Sequence, residues 1–289
     1  MTDNGKPQAP AAKSRRRCNA LDGKRWLQNS ISVWSDIRKA AEETRLGHPA
    51  MFPQMLCTRL IETFLPPEGD VVLDPFAGSG STVLAAQQMG KRGIGLELSP
   101  EYASLANARL ASGECDGESA VSRRRLANAS VVHQRSATEL LSLVHPGSVD
   151  LCITSPPYWN ILNQRRTADY KSVRHYGNLD GDLGTIEDYE AFLDSLAAVF
   201  ADVFTALKPG AYCCVIVMDL RKKDRFFPLH SDLANRMVQV GYLYDDLIIW
   251  NRQAEYNNLR PLGYPSVFRV NKVHEFVLLM RKRPAVQHS

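Results

Sequence analysis

Two consecutive prolines at the end of an apolar run constrain this chain more than any other stretch. Val149-Asp150-Leu151-Cys152-Ile153 reads as a buried strand, and Thr154-Ser155-Pro156-Pro157-Tyr158-Trp159 follows it directly. Pro156 and Pro157 cannot donate to a sheet ladder or sit inside a helix. The backbone must therefore leave the strand end as a rigid, extended turn. Such a turn fixes the Ser155 hydroxyl and the Ser155 and Pro156 carbonyls beside the Tyr158 ring. Fixed acceptors next to an aromatic face suit a planar, amine-bearing ring such as a nucleobase. Alone, the stretch reads equally well as a surface turn, and only context separates the two readings.

The context lies upstream. Pro66-Pro67-Glu68-Gly69 turns into the short buried strand Val71-Val72-Leu73, which runs into the loop Asp74-Pro75-Phe76-Ala77-Gly78-Ser79-Gly80. A helix is expected over residues 81–89, closing at Gly90. Strand, glycine loop and helix together aim backbone N–H groups and a helix N-terminus at a ligand. A phosphate-cradling loop would need lysine after Gly80, where Ser81-Thr82 stand. A dinucleotide fingerprint would need a third glycine where Val83 stands. Both alternatives fail. The next strand, residues 93–96, ends in Glu97, placed to accept hydrogen bonds from both hydroxyls of a ribose. Ser99-Pro100-Glu101 then has the cap, first-turn proline and early acid of a helix start.

Together the two stretches resemble the S-adenosylmethionine-dependent DNA amino-methyltransferases, in which a D-P-F-x-G-S-G cofactor loop works with a [D/N/S]-P-P-[Y/F/W] catalytic loop. The resemblance runs from about His48 to Lys282. It implies S-adenosyl-L-methionine bound by Asp74, Phe76, Ala77, Gly78, Ser79, Gly80, Glu97 and Leu98. It also implies contacts from His48-Pro49 and from Ser136, which stands where family members often carry an acid that reads the adenine amine. A second departure is Phe52, where the usual pattern has lysine. Ser155, Pro156, Pro157 and Tyr158 are the catalytic residues the resemblance implies. Ser155 Oγ and the Pro156 carbonyl would accept hydrogen bonds from the target amine, and Tyr158 would stack on a base flipped from the duplex. The Thr-Ser-Pro-Pro-Tyr form is similar to the N4-cytosine variant, whereas N6-adenine enzymes usually carry Asp or Asn at the Ser155 position. The chain contains no Pro-Cys dipeptide, which counts against cytosine-C5 chemistry with its cysteine nucleophile. The remaining alternatives are RNA, a protein glutamine side chain, or a non-catalytic accessory role.

Composition sets weaker bounds. At 289 residues and 44% hydrophobic, the chain can bury one large α/β domain. It carries no apolar run long enough to cross a bilayer and no signal-peptide core, so a cytoplasmic setting is expected. Six scattered cysteines without Cys-x-x-Cys spacing point to reduced thiols and no metal site. The net charge of +4 is compatible with double-stranded DNA but does not demonstrate it. Residues 160–182 interleave Arg165, Arg166, Lys171 and Arg174 with Tyr170 and Tyr176, cations for phosphate and rings for stacking. Arg221-Lys222-Lys223 follow a later strand end on the same rim. A companion restriction endonuclease and a monomeric or homodimeric state complete the expected partners.

The expected fold is a Rossmann-like, doubly wound, mostly parallel α/β sheet of seven strands, the last pair antiparallel. Residues 1–20 read as a disordered tail and 21–47 as a helical segment, amphipathic over 26–45. Residues 48–284 form the methyltransferase domain, with a cofactor half (48–150) and a catalytic half (151–284).

Overall fold

The computed structural model describes residues 17–41, 43, 52–112, 129–160, 179, 181–256 and 259–284. Its centre is an eight-stranded sheet in the order β1-β9-β10-β6-β5-β2-β3-β4. These strands are β1 (Val33–Trp34), β2 (Val71–Asp74), β3 (Arg92–Glu97), β4 (Val131–Gln134), β5 (Val149–Thr154), β6 (Leu207–Val217), β9 (Leu243–Asn251) and β10 (His274–Arg281). A separate hairpin pairs β7 (Leu220–Lys222) with β8 (Arg225–Phe227). All neighbours in the sheet run parallel except those of β10, which is antiparallel to both β6 and β9.

The central strands are apolar on both faces, as a sheet covered by helices on each side requires. Successive residues alternate between two cores. Cys152 of β5 and Cys213, Val215 and Val217 of β6 enter one, with α6 (Tyr189–Ala206) and α7 (Leu229–Val240). Leu151, Ile153, Cys214 and Ile216 enter the other, under α2 (Gln54–Phe64) and α3 (Ser81–Gln88). A smaller cluster joins Val83 and Leu84 of α3 to Ala103, Ala106 and Leu110 of α4 (Pro100–Ser112). The short α5 (Leu140–Leu143) precedes β5.

From β2 the chain steps outward to β3 and β4, then returns across β2 to β5 and continues the other way. The winding direction therefore reverses between β2 and β5. At such a switch point the loops beyond the strand ends part and leave a crevice for a ligand.

The N-terminal segment corrects one expectation. The described residues of that stretch, 26–41 and 43, do not form one amphipathic helix. Helix α1 (Gly23–Asn29) is capped by Asp22, whose side chain accepts from Arg25 N at 2.7 Å, and it ends at Ser30. Val33–Trp34 then add an eighth strand, parallel to β9, where seven strands were expected. The four apolar residues taken for one stripe divide in two. Leu27 is 70% and Ile31 55% exposed, whereas Trp34 and Ile37 are buried in the core beneath α2. β-Branched Ile31 and Val33, set among serines, favour extended backbone over a further helical turn. No helix among the described residues is long and apolar enough to cross a membrane.

Candidate active site

The loop after β2 is built around two buried carboxylates. Asp74 is fully buried at the strand tip, where its Oδ1 accepts from Phe76 N (3.1 Å) and from Thr154 Oγ1 (2.6 Å). Burial pushes its carboxyl up to about 6, against the hydrogen bonds that favour the ionised form. Asp74, expected to contact cofactor, is thus turned inward and fixes the loop. Glu97 closes the loop from the tip of β3. Its Oε2 accepts from Gly78 N and its Oε1 from Ser99 N, each at 2.8 Å. Burial raises its carboxyl above the usual range, opposed by those two N–H groups. Each oxygen keeps a second lone pair, so Glu97 can still accept two hydroxyls from a neighbouring sugar. Leu98, next to it, is half-buried.

The loop's path depends on Gly80. Its φ is +81°, and a Cβ there would lie 2.8 Å from Ala106 Cβ. Helix α3 starts directly after Gly80, and Gly80 N donates to Ala77 O at 2.8 Å. Ala77 N donates to Leu96 O, and the Ser79 carbonyl accepts from Arg109 of α4. Phe76 and Gly78 remain half-exposed on the rim. A tight glycine turn, a helix N-terminus and a doubly held carboxylate fit a nucleoside with a free ribose diol.

Ser136 stands at the end of β4, 9% exposed. Its Oγ accepts from Thr138 N (3.3 Å) and bonds Thr138 Oγ1 (2.9 Å), capping a short 3₁₀ turn. His48 and Pro49 lie outside the described residues.

Beyond β5 the chain leaves the sheet as expected, with residues 155–158 in no helix or strand. Pro156 is buried, and Ser155, Pro157 and Tyr158 are partly exposed. Trp159 takes the left-handed conformation, φ 49°, which a bulky side chain adopts only where its surroundings dictate it. Here they do. Its indole is 5% exposed, packs edge-on to Tyr189 and against Phe227, and donates Nε1–H to Ile186 O at 2.9 Å. The residue that follows Tyr158 is thus anchored in the core.

Sequence reasoning missed what lies behind Tyr158. Ser155 Oγ donates to Tyr158 Oη at 3.1 Å, and Tyr158 Oη donates to Glu275 Oε2 at 2.9 Å. Glu275 is 5% exposed, and its other oxygen is ion-paired with Arg252. Arg252 also pairs with Glu255 at 2.8 Å and lies over the Trp250 ring at 4.7 Å. Burial and the Glu275 charge raise the Tyr158 phenol far above its usual range, keeping it protonated. Arg252 follows β9 and Glu275 is the second residue of the antiparallel β10, where it faces Trp250. Their meeting with residue 158 is purely tertiary, and no local pattern announces it.

Of the residues expected at DNA, Arg165, Arg166, Lys171 and Arg174 fall outside the described residues. The other group lies on the β7–β8 hairpin, with Lys223 and Asp224 at its turn. Arg221 and Lys223 are exposed, whereas Lys222 sits over Trp159 at 4.3 Å and donates to Asn160 Oδ1 at 3.3 Å. The hairpin is therefore fastened to the loop that carries Ser155. Arg269 braces its tip, donating to Lys223 O (2.6 Å) and Asp224 Oδ1 (3.0 Å).

Known proteins share this sequence pattern. A stretch of 100 residues is 38% identical to Type II methyltransferase M.ScaI of Streptomyces caespitosus, covering 32% of this chain and 31% of that protein. Another, of 65 residues, is 49% identical to YubD of Escherichia coli K12, covering 22% of this chain and 28% of that one. The aligned stretches span under a third of each relative's length. Among solved structures, TTHA0409 of Thermus thermophilus, complexed with S-adenosyl-L-methionine, is 30% identical over 53% of this chain and 55% of its own, with a TM-score of 0.37. The family described as DNA methylase, of the N6/N4 type, matches residues 4–108 and 149–288, taking in both the glycine loop and the proline turn. The chain belongs to the N6/N4 DNA methylase family.

Proposed function

We propose that this protein methylates the exocyclic N4 amine of cytosine in duplex DNA, with S-adenosyl-L-methionine as donor. The observation that carries the reading is the 2.6 Å hydrogen bond from Thr154 to Asp74, which ties the glycine loop to the catalytic turn across the switch point. One rim then presents both halves of a methyl-transfer site. S-adenosyl-L-methionine, when bound, supplies an electrophilic methyl group on a sulfonium. Glu97 receives the ribose hydroxyls, and the turn of residues 76–80 wraps the remainder.

An exocyclic amine shares its lone pair with its ring and is a weak nucleophile. Alignment and withdrawal of its hydrogens toward fixed acceptors are what the protein must provide. Ser155 Oγ and the Pro156 carbonyl accept those hydrogens, and the Tyr158 ring stacks on the base after it leaves the duplex. Arg221 and Lys223 on the hairpin contact phosphate. Serine at position 155 supports cytosine as the target, by the likeness to the N4 variant of the family motif. The Type II relatives support a companion restriction endonuclease.

The test is methyl transfer from labelled S-adenosyl-L-methionine to duplex DNA, tRNA and protein in parallel, with nucleoside analysis of the products. Label in DNA as N4-methylcytosine is expected. N6-methyladenine would overturn the choice of base, and label in tRNA or protein the choice of substrate.

A further inference from the structure

The acceptors assigned so far include no base for the proton that the amine must lose. The hydrogen-bonded chain of three residues that starts at Ser155 contains one. Ser155 gives its only hydroxyl hydrogen to Tyr158, and Tyr158 gives its own to Glu275, an acceptor only. The direction of the chain is fixed at the far end. Arg252 holds one carboxylate oxygen of Glu275 and leaves the other for Tyr158. Ser155 is thereby left with its lone pairs, and no hydrogen, toward the crevice.

We propose that Glu275 is a positioning residue that acts through Tyr158 to hold Ser155 as an acceptor, and that it is the final acceptor of the amine's proton. The inference rests on the methyl-transfer reading above. In the step, the amine nitrogen forms its bond to the methyl carbon while the sulfur keeps the electron pair of the broken S–C bond. The N–H bond then breaks toward Ser155 Oγ. The serine's own hydrogen moves to Tyr158, the tyrosine's moves to Glu275, and the nitrogen keeps the electron pair. Glu275 ends neutral and returns its proton to water. A carboxylate two hydrogen bonds behind the serine thus serves as base without touching the base ring. Tyr158 has two duties, its face toward the nucleobase and its hydroxyl toward Glu275.

The test compares Tyr158→Phe, Glu275→Gln and the pair. Tyr158→Phe keeps the ring and removes one oxygen, and Glu275→Gln keeps an acceptor and removes the charge. Each should lower kcat for methyl transfer about a hundredfold. The KM for DNA, the calorimetric Kd for S-adenosyl-L-methionine and the fluorescence of 2-aminopurine at the target position should stay within about twofold of wild type. Because both substitutions break one relay, the double variant should fall no further than the worse single. Full activity of Glu275→Gln, or single effects that multiply, would overturn the relay. If Glu275→Gln does not fold, Tyr158→Phe decides alone, and wild-type kcat in that variant sinks the proposal. A wild-type protein that transfers no methyl to DNA defeats the methyl-transfer reading itself. An active wild type with an unaffected Glu275→Gln defeats only the role of Glu275.

Discussion

Thr154 donates its hydroxyl to Asp74 at 2.6 Å, across the seam between two strands whose ends lie 80 residues apart in the chain. Both groups are fully buried. One end of this bond opens the glycine loop and the other immediately precedes Ser155. The distance between the glycine loop and the proline turn is thus set by a hydrogen bond inside the protein, before any ligand arrives.

That arrangement has a pH signature. Burial raises the Asp74 carboxyl from 3.8 to about 6. Below about pH 4 the group is protonated in both folded and unfolded chains and costs nothing. Between the two values the unfolded chain releases the proton while the folded one retains it, so stability falls as pH rises. The full cost, about 3 kcal/mol for a shift of this size, is reached above pH 6. Urea unfolding of wild type and Asp74→Asn at both ends of the window should show the wild-type advantage shrinking by that amount. An unchanged difference would remove Asp74 as the cause.

Gly80→Ala should destabilise the fold by at least about 2 kcal/mol. Alanine is strained at the φ of +81° seen there, and its Cβ would meet Ala106 Cβ at 2.8 Å. Relief requires α3 and α4 to separate, which displaces the loop that should wrap the cofactor. Thermal unfolding and titration with S-adenosyl-L-methionine should both register the change. An unaltered melting temperature would contradict it.

Glu97→Gln keeps the shape of the side chain and loses one acceptor. Gly78 N and Ser99 N each need an oxygen, and glutamine offers one oxygen and an amino group that faces the other N–H. The loop should shift, and affinity for S-adenosyl-L-methionine should drop about ten- to a hundredfold by calorimetry. Unchanged affinity would place the ribose elsewhere.

The β7–β8 hairpin should act on DNA through charge alone. Arg221 and Lys223 are both exposed on it. Replacing them with alanine should reduce the slope of log affinity against log salt by about 0.9 for each phosphate no longer neutralised. Affinity for S-adenosyl-L-methionine should be untouched. A salt slope equal to wild type would take the hairpin off the DNA.

Local features made much of this legible in advance. β2, β3 and β5 announce themselves as short apolar runs because they are buried on both faces, and Pro156-Pro157 can only be a corner. Glycines 78 and 80 mark a left-handed turn whatever surrounds them. Two kinds of feature stayed hidden. Val33–Trp34 is too short to show a period and becomes a strand only because β9 offers an edge. Glu275 and Arg252 look like ordinary charges at strand ends, and their part in the site depends on a hydrogen bond that spans 117 residues of sequence. Ser136 was legible in place, at the end of β4, but its hydroxyl turned out to bond Thr138.

The most direct measurement is methyl incorporation into duplex DNA by a variant carrying Ser155→Ala and Tyr158→Ala together, alongside wild type. With the serine acceptor and the stacking ring both gone, incorporation should fall by at least about a thousandfold. Binding of S-adenosyl-L-methionine at the neighbouring glycine loop should persist. Incorporation at the wild-type rate would contradict the assignment of this turn as the place where the amine reacts.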